Sequence, residues 1–181
     1  MLRKLLLLWI AISFCSLFAF AQDSSKVDIF GGYQYLHANS GVSGVSGFSL
    51  NGWNASLNGY FTRNFGVTAD FSGNYGTPSV LGTGVSTRFY TFLFGPTFRA
   101  PNSSHITPFA HALFGGGHIS GAVGSLSASE TDFTWAAGGG VDYDLSRNFA
   151  VRVAQADFLQ TRVSGGNQNN FRFSAGIVIK F

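Results

Sequence analysis

The chain ends on Asn170-Phe171-Arg172-Phe173-Ser174-Ala175-Gly176-Ile177-Val178-Ile179-Lys180-Phe181. In an extended strand, successive side chains point to opposite faces. Phe171, Phe173, Ala175, Ile177, Ile179 and Phe181 therefore share one side, and Asn170, Arg172, Ser174, Gly176, Val178 and Lys180 the other. Such a strand is apolar on one side and mostly polar on the other, and it ends on an aromatic residue with no polar residue after it.

Composition agrees with an unusual sheet. Charged residues make up 10% of the 181, against about a quarter in ordinary soluble proteins. There are 24 Gly and 20 Phe but only 4 Pro. Aromatic content this high excludes disorder, and Gly without a three-residue period excludes collagen. The length predicts one domain.

At the other end, Arg3 and Lys4 precede an apolar run from Leu5 to Phe18, followed by the small-x-small triplet Ala19-Phe20-Ala21. The run is shorter than the ~20 residues a spanning helix needs. It reads as a Sec signal peptide, residues 1–21, cut before Gln22, leaving residues 22–181 as the domain. Cys15, the single cysteine, follows bulky Phe14, which argues against a lipoprotein site, and its removal leaves neither disulfide nor thiolate metal site. Without Arg3 and Lys4, nine bases face eight acids, so the basic balance belongs partly to the leader. No basic patch with interleaved aromatics points to nucleic acid. No later segment is apolar enough for a membrane helix, so a membrane-spanning domain must be a closed barrel, because lipid cannot satisfy an open sheet edge.

Eight extended segments are predicted: 27–36, 49–62, 66–75, 87–99, 106–117, 131–143, 149–159 and 170–181. In the second, Trp53, Ala55, Leu57, Gly59 and Phe61 oppose Asn54, Ser56 and Asn58. In the third, Val67, Ala69, Phe71 and Tyr75 oppose Thr68, Asp70, Ser72 and Asn74. The fourth aligns Tyr90, Phe92, Phe94 and Phe98. Short joints at 63–64, 100–105 and 144–148 alternate with long ones at 37–48, 76–86, 118–130 and 160–169, the latter rich in Gly, Ser, Thr and Asn, as exposed loops are. Two short turns share a pattern, Arg63-Asn64-Phe65-Gly66-Val67 and Arg147-Asn148-Phe149-Ala150-Val151, which reads as one turn solved twice. Pro96 and Pro108 lack the N–H a ladder needs, and belong near strand ends or a bulge.

Terminal Phe181, the leader, the strand count and the short–long alternation together resemble the eight-stranded OmpA/OmpX-like outer-membrane β-barrel proteins. The fold implied is an all-β, antiparallel, up-and-down transmembrane barrel with short periplasmic turns and four extracellular loops. The resemblance implies a monomer in the outer membrane, in contact with its lipid and lipopolysaccharide. The barrel-assembly machinery would read its terminal strand through Ile177, Ile179 and Phe181. No cofactor, metal or nucleic acid is expected, and no loop sequence specifies a ligand. Trp53, Phe61, Phe71, Tyr75, Tyr90, Phe94, Phe98, Trp135, Tyr143 and Phe173 would meet lipid or form the aromatic girdles.

The polar side would fill the lumen with Asp28, Gln34, Asn54, Asn58, Asp70, Arg99, Asp142, Arg152, Asp157, Arg172 and Lys180. An eight-stranded barrel is just wide enough for side chains to fill, and buried charges must pair, so an ion-pair plug is expected rather than a narrow channel for ions or small solutes. Arg152 and Asp157 have opposite parity, yet neither charge belongs in lipid. A β-bulge between them turns both inward, and folding the last hairpin about Gly165 sets Asp157 across from Arg172, near the outer rim. His111 is either interior or interfacial. One constellation supports an alternative: His118-Ile119-Ser120 on one strand, with Glu130 and Asp132 on the next, supplies base, nucleophile and orienting acid. It is similar to the arrangement in lipid A deacylase barrels, although Gly121 stands where that family prefers Asn.

Overall fold

The computed structural model describes residues 26–39, 47–80, 83–123, 126–163 and 166–181; the expected leader, residues 1–21, and Cys15 lie outside them. Ten strands follow in order: β1 (Val27–Ala38), β2 (Phe48–Tyr60), β3 (Phe65–Gly76), β4 (Ser79–Val80), β5 (Thr83–Gly84), β6 (Ser86–Arg99), β7 (Ile106–Val123), β8 (Leu126–Asp144), β9 (Phe149–Val163) and β10 (Gly166–Lys180). Eight close a barrel in the order β1-β10-β9-β8-β7-β6-β3-β2, while β4 and β5 form a small separate hairpin in the β3–β6 connection. Every neighbouring pair is antiparallel, and closure comes from β1 on β10, with Asp28 opposite Lys180 and Ala38 opposite Asn170. The Lys26 N–H donates to the Phe181 carbonyl at 2.8 Å, tying the two ends of the barrel chain together.

The period-two alternation is realised with the apolar side out. Trp53, Phe71, Phe94 and Phe173 are exposed, whereas Asn54, Asp70 and Arg172 are buried. Neighbouring outward aromatics interlock across strands: Phe65 on Phe98, Phe71 edge-on to Phe94, Tyr75 edge-on to Tyr90, and Phe158 between Trp135 and Phe171. Such pairs contribute about 0.5–1.5 kcal/mol each beyond area burial.

The repeated turn motif is one structure made twice. At Phe61–Asn64 the Phe61 N–H donates to the Phe65 carbonyl (3.0 Å), and at Leu145–Asn148 the Leu145 N–H donates to that of Phe149 (3.0 Å). Thr62 and Ser146 hydroxyls accept from the Phe65 and Phe149 N–H groups. Asn64 and Asn148 each donate 2.9 Å to the end of a neighbouring strand, at Arg99 and Lys180.

Two of the expected long outer loops are corrected. Residues 118–130 and 160–169 are mostly strand: β7 and β8 stay paired out to Val123 opposite Leu126, and β9 and β10 out to Val163 opposite Gly166. Their Gly, Ser and Thr content reads as loop, but the continuous ladder satisfies the backbone there. The 76–86 connection carries the β4–β5 hairpin, and most of the 37–48 connection, residues 40–46, falls outside the described residues.

The bulge in β9 lies at Val153–Ala154. Ser174 and Gly176 of β10 face Gln155 and Arg152, so the single residue Ala175 on one strand opposes two, Val153 and Ala154, on the other. Val153 and Ala154 both point out, and Arg152, Gln155 and Asp157 all point in. Removing Val153 should therefore restore plain alternation without turning any lumen residue outward. We expect that deletion variant to keep the heat-modifiable gel mobility of a folded barrel. Deletion of Ala156, which sends Asp157 to the outer face, should abolish it.

Candidate functional site: the lumen and the outer rim

Alternation places a polar set inside, and the barrel's width forces its members together. Arg172 is at the centre and has no solvent exposure. Its Nε donates 2.8 Å to Asp157 Oδ2, and its Nη1 donates 2.7 Å to Asp70 Oδ1. Asp70 Oδ2 accepts from Asn54 Nδ2 at 2.9 Å. Asp157 also pairs through Oδ1 with His111 Nε2 at 2.8 Å and accepts from Gln155 Nε2 at 2.8 Å. Gln155 in turn accepts from Arg152 Nη1, and Arg152 grips Asp142 with two bonds, 2.8 and 3.2 Å. This continuous network ties β2, β3, β7, β8, β9 and β10 across the lumen.

Nearer the termini, Arg99 Nη1 donates 2.9 Å to Asp28 Oδ2 and its guanidinium lies 3.5 Å over the Tyr60 ring. Arg152 is held between the rings of Phe30 and Phe109, at 4.3 and 4.1 Å. Lys180 pairs with Asp144. Gln34 Nε2 donates to Asn74 Oδ1, and Asn58 accepts from Thr68. Burial of the central charges is helped by bonds beyond the ion pairs, from Asn54 to Asp70 and from Gln155 to Asp157, although Arg172 Nη2 has no protein partner. Small residues make the space: a Cβ at Gly138, opposite Asp157 in the ladder, would sit 2.2 Å from Asp157 Oδ1.

The Asp157–Arg172 pair is not at the outer rim, as folding about Gly165 implied, but deeper, below a layer sequence reasoning missed. Leu36, Leu50, Phe89, Leu93, Leu113, Ala136 and Leu159 form one buried apolar cluster inside the barrel, with Phe48 and Ile119 against it. Leu36, Leu113 and Leu159 each follow a polar lumen residue (Gln34, His111, Asp157) by two positions on the same strand, and thus one step further out. That placement was the available signal: an apolar residue on the polar parity, at the outer end of several strands.

Trp53, Phe61, Phe71, Tyr75, Phe94, Phe98, Tyr143 and Phe173 are exposed on the outer surface, with Ile177, Ile179 and Phe181. Tyr90 and Trp135 are on the same surface but half-covered by their neighbours.

The hydrolase-like constellation is not assembled. The β7–β8 register opposes His118 to Thr131 and Ser120 to Ser129, so both stand on the outer face, and His118 Nδ1 bonds the Thr131 hydroxyl at 2.7 Å. Glu130 and Asp132 have the other parity and lie on the lumen side. No group of three His, Cys, Asp or Glu among the described residues converges as metal ligands.

A closed eight-stranded antiparallel cylinder, aromatic outside and charged inside, with short turns at the end holding its termini, is the architecture of a transmembrane β-barrel. Residues 7–181 match the family described as Outer membrane protein beta-barrel domain, and the chain belongs to it. Its place is accordingly the outer membrane. The fold is similar to that of Neisserial surface protein A (TM-score 0.72, 13% identity, covering 88% of this chain and 100% of that one). It is also similar to Ail, the attachment invasion locus protein of Yersinia pestis (0.60, 17%, 86% and 99%), and to OprG of Pseudomonas aeruginosa (0.60, 10%, 89% and 98%). No curated protein sequence matches the chain.

Replacing Arg172 by Ala would leave Asp70 without its cation and Asp157 with only His111 and Gln155. Breaking a buried pair from one side costs about 3–5 kcal/mol. Urea unfolding of the barrel in lipid vesicles should show a loss of that order for Arg172→Ala, and a much smaller one for the outward-facing Arg88→Ala.

Proposed function

We propose that the chain is a monomeric, non-enzymatic barrel whose lumen is plugged and whose role is exercised at the cell surface, through the four connections at its outer end. The observation that carries this reading is the double closure of the lumen. An ion-pair network centred on Arg172 crosses it, and a leucine-rich apolar layer seals it further out. A hydrated ion passing through would have to displace both. The outward aromatic surface supports contact with outer-membrane lipid and lipopolysaccharide. Exposed Ile177, Ile179 and Phe181 support recognition of the last strand by the barrel-assembly machinery after residues 1–21 are removed. Ail, a barrel of this fold, is an attachment invasion locus protein that has been seen in complex with the heparin analogue sucrose octasulfate, which supports a surface-interaction role for the class. The opposite parities of His118/Ser120 and Glu130/Asp132 weigh against acyl hydrolysis.

In planar bilayers the protein should give no steady current. Opening both closures, with Arg172→Ala joined to Leu113→Ser and Leu159→Ser, should introduce one. A steady conductance from the unmodified protein would refute the plugged lumen.

A further inference from the structure

We propose that the cleft where β8 and β9 part holds the phosphorylated head of an outer-leaflet lipid, with Arg162 on the phosphate and an acyl chain against Phe133 and Trp135. The proposal rests on the outer-membrane reading above and gives it a site. The outermost β8–β9 pair is Thr134 with Thr161, yet β8 continues outward on β7 to Leu126, and β9 continues on β10, with Arg162 opposite Asn167. The two hairpins therefore separate above Thr134, leaving a notch in the wall lined by Phe133, Trp135, Gln160, Arg162 and Asn167.

Its volume, ≈ 130 Å³, is below the ~300 Å³ at which small-molecule pockets begin, but a phosphate group fits. Its floor is aromatic: Phe133 is 55% exposed, and the Trp135 indole N–H is fixed outward by donating 3.0 Å to Gln160 Oε1. Trp at this height is where its amphipathic ring meets a headgroup region. Arg162 is exposed, just beyond those rings.

Charge selects the occupant. Among the described residues, the acids lie in the lumen (Asp28, Asp70, Asp142, Asp157), on the lumen side of β8 (Glu130, Asp132) or in the Lys180 pair at the opposite end (Asp144). The outward face above the aromatic residues thus carries Arg88 and Arg162 with no carboxylate beside them. A guanidinium binds phosphate through two parallel N–H bonds, and an outward face at membrane height stands against lipid heads. The unpaired β8 edge would also accept an extended peptide, but the cation and the aromatic floor favour a lipid.

The test uses the full barrel in phosphatidylcholine nanodiscs doped with diphosphoryl lipid A, with native mass spectrometry of the lipid retained on release. The unmodified protein should retain diphosphoryl lipid A. Arg162→Gln should lower retention about fivefold, the worth of one cation near an anionic surface, Arg162→Lys should keep most of it, and Arg88→Gln should change it little. Equal retention by Arg162→Gln, an equal fall in Arg88→Gln, full competition by inorganic phosphate, or dimers joined through the β8 edge would each overturn the site. Heat-modifiable mobility of each variant separates the two readings: its loss in the unmodified protein faults the barrel, whereas lost lipid retention with mobility intact bears on Arg162 alone.

Discussion

Backbone N–H and C=O groups in hydrocarbon have no water to turn to, and that constraint dictates everything else here. The chain meets it by returning β10 to β1, so that the barrel closes on itself and no strand keeps a free edge in the hydrocarbon. Closure then divides every side chain into two populations. Outward positions take Phe, Tyr, Trp, Ile and Val, and inward ones must fill a narrow cylinder without leaving a charge alone. Arg172 is the residue on which the second requirement turns, because it serves two carboxylates from strands four places apart, on opposite sides of the wall.

The lumen is stratified. Cations held on aromatic rings occupy the end near the termini, the Arg172 network the middle, and leucines the outer end. An ion pair in a water-filled pore is screened and weak. The same pair beneath an apolar layer stands in a lower dielectric, where a correct partner counts for more and a missing one costs more. The leucine layer thus strengthens the plug it covers. Gly138 contributes from the wall itself, because any larger residue would collide with the Asp157 carboxylate.

Much of this was legible in the sequence, because a half-buried strand writes its two faces in alternate letters. Trp53 against Asn54, Phe71 against Asp70, and Phe173 against Arg172 declare the direction of the barrel's faces. Even the bulge was readable, from the clash of parity between Arg152 and Asp157. The reach of β7–β8 and β9–β10 was not, since Gly, Ser and Thr favour turns by composition while a paired neighbour can still hold them extended. That misreading also hid the geometry of His118, Ser120 and Glu130: residues placed in a loop have no assigned face, and only the register with Thr131 separates His118 and Ser120 from the side of Glu130 and Asp132. The leucine layer was missed because the lumen was read as a polar set alone, and Leu36, Leu113 and Leu159, on the same parity, were given no face.

The central claim is that alternate residues along a wall strand face lipid and a sealed interior. Cys15 is the single cysteine, so with Cys15→Ala in place spin labels can be placed singly along β6, from Phe89 to Phe94, and read by electron paramagnetic resonance in bilayers. Accessibility to lipid-dissolved oxygen should be high at Tyr90, Phe92 and Phe94, and low at Phe89, Thr91 and Leu93. An inverted alternation, or none, would contradict the account.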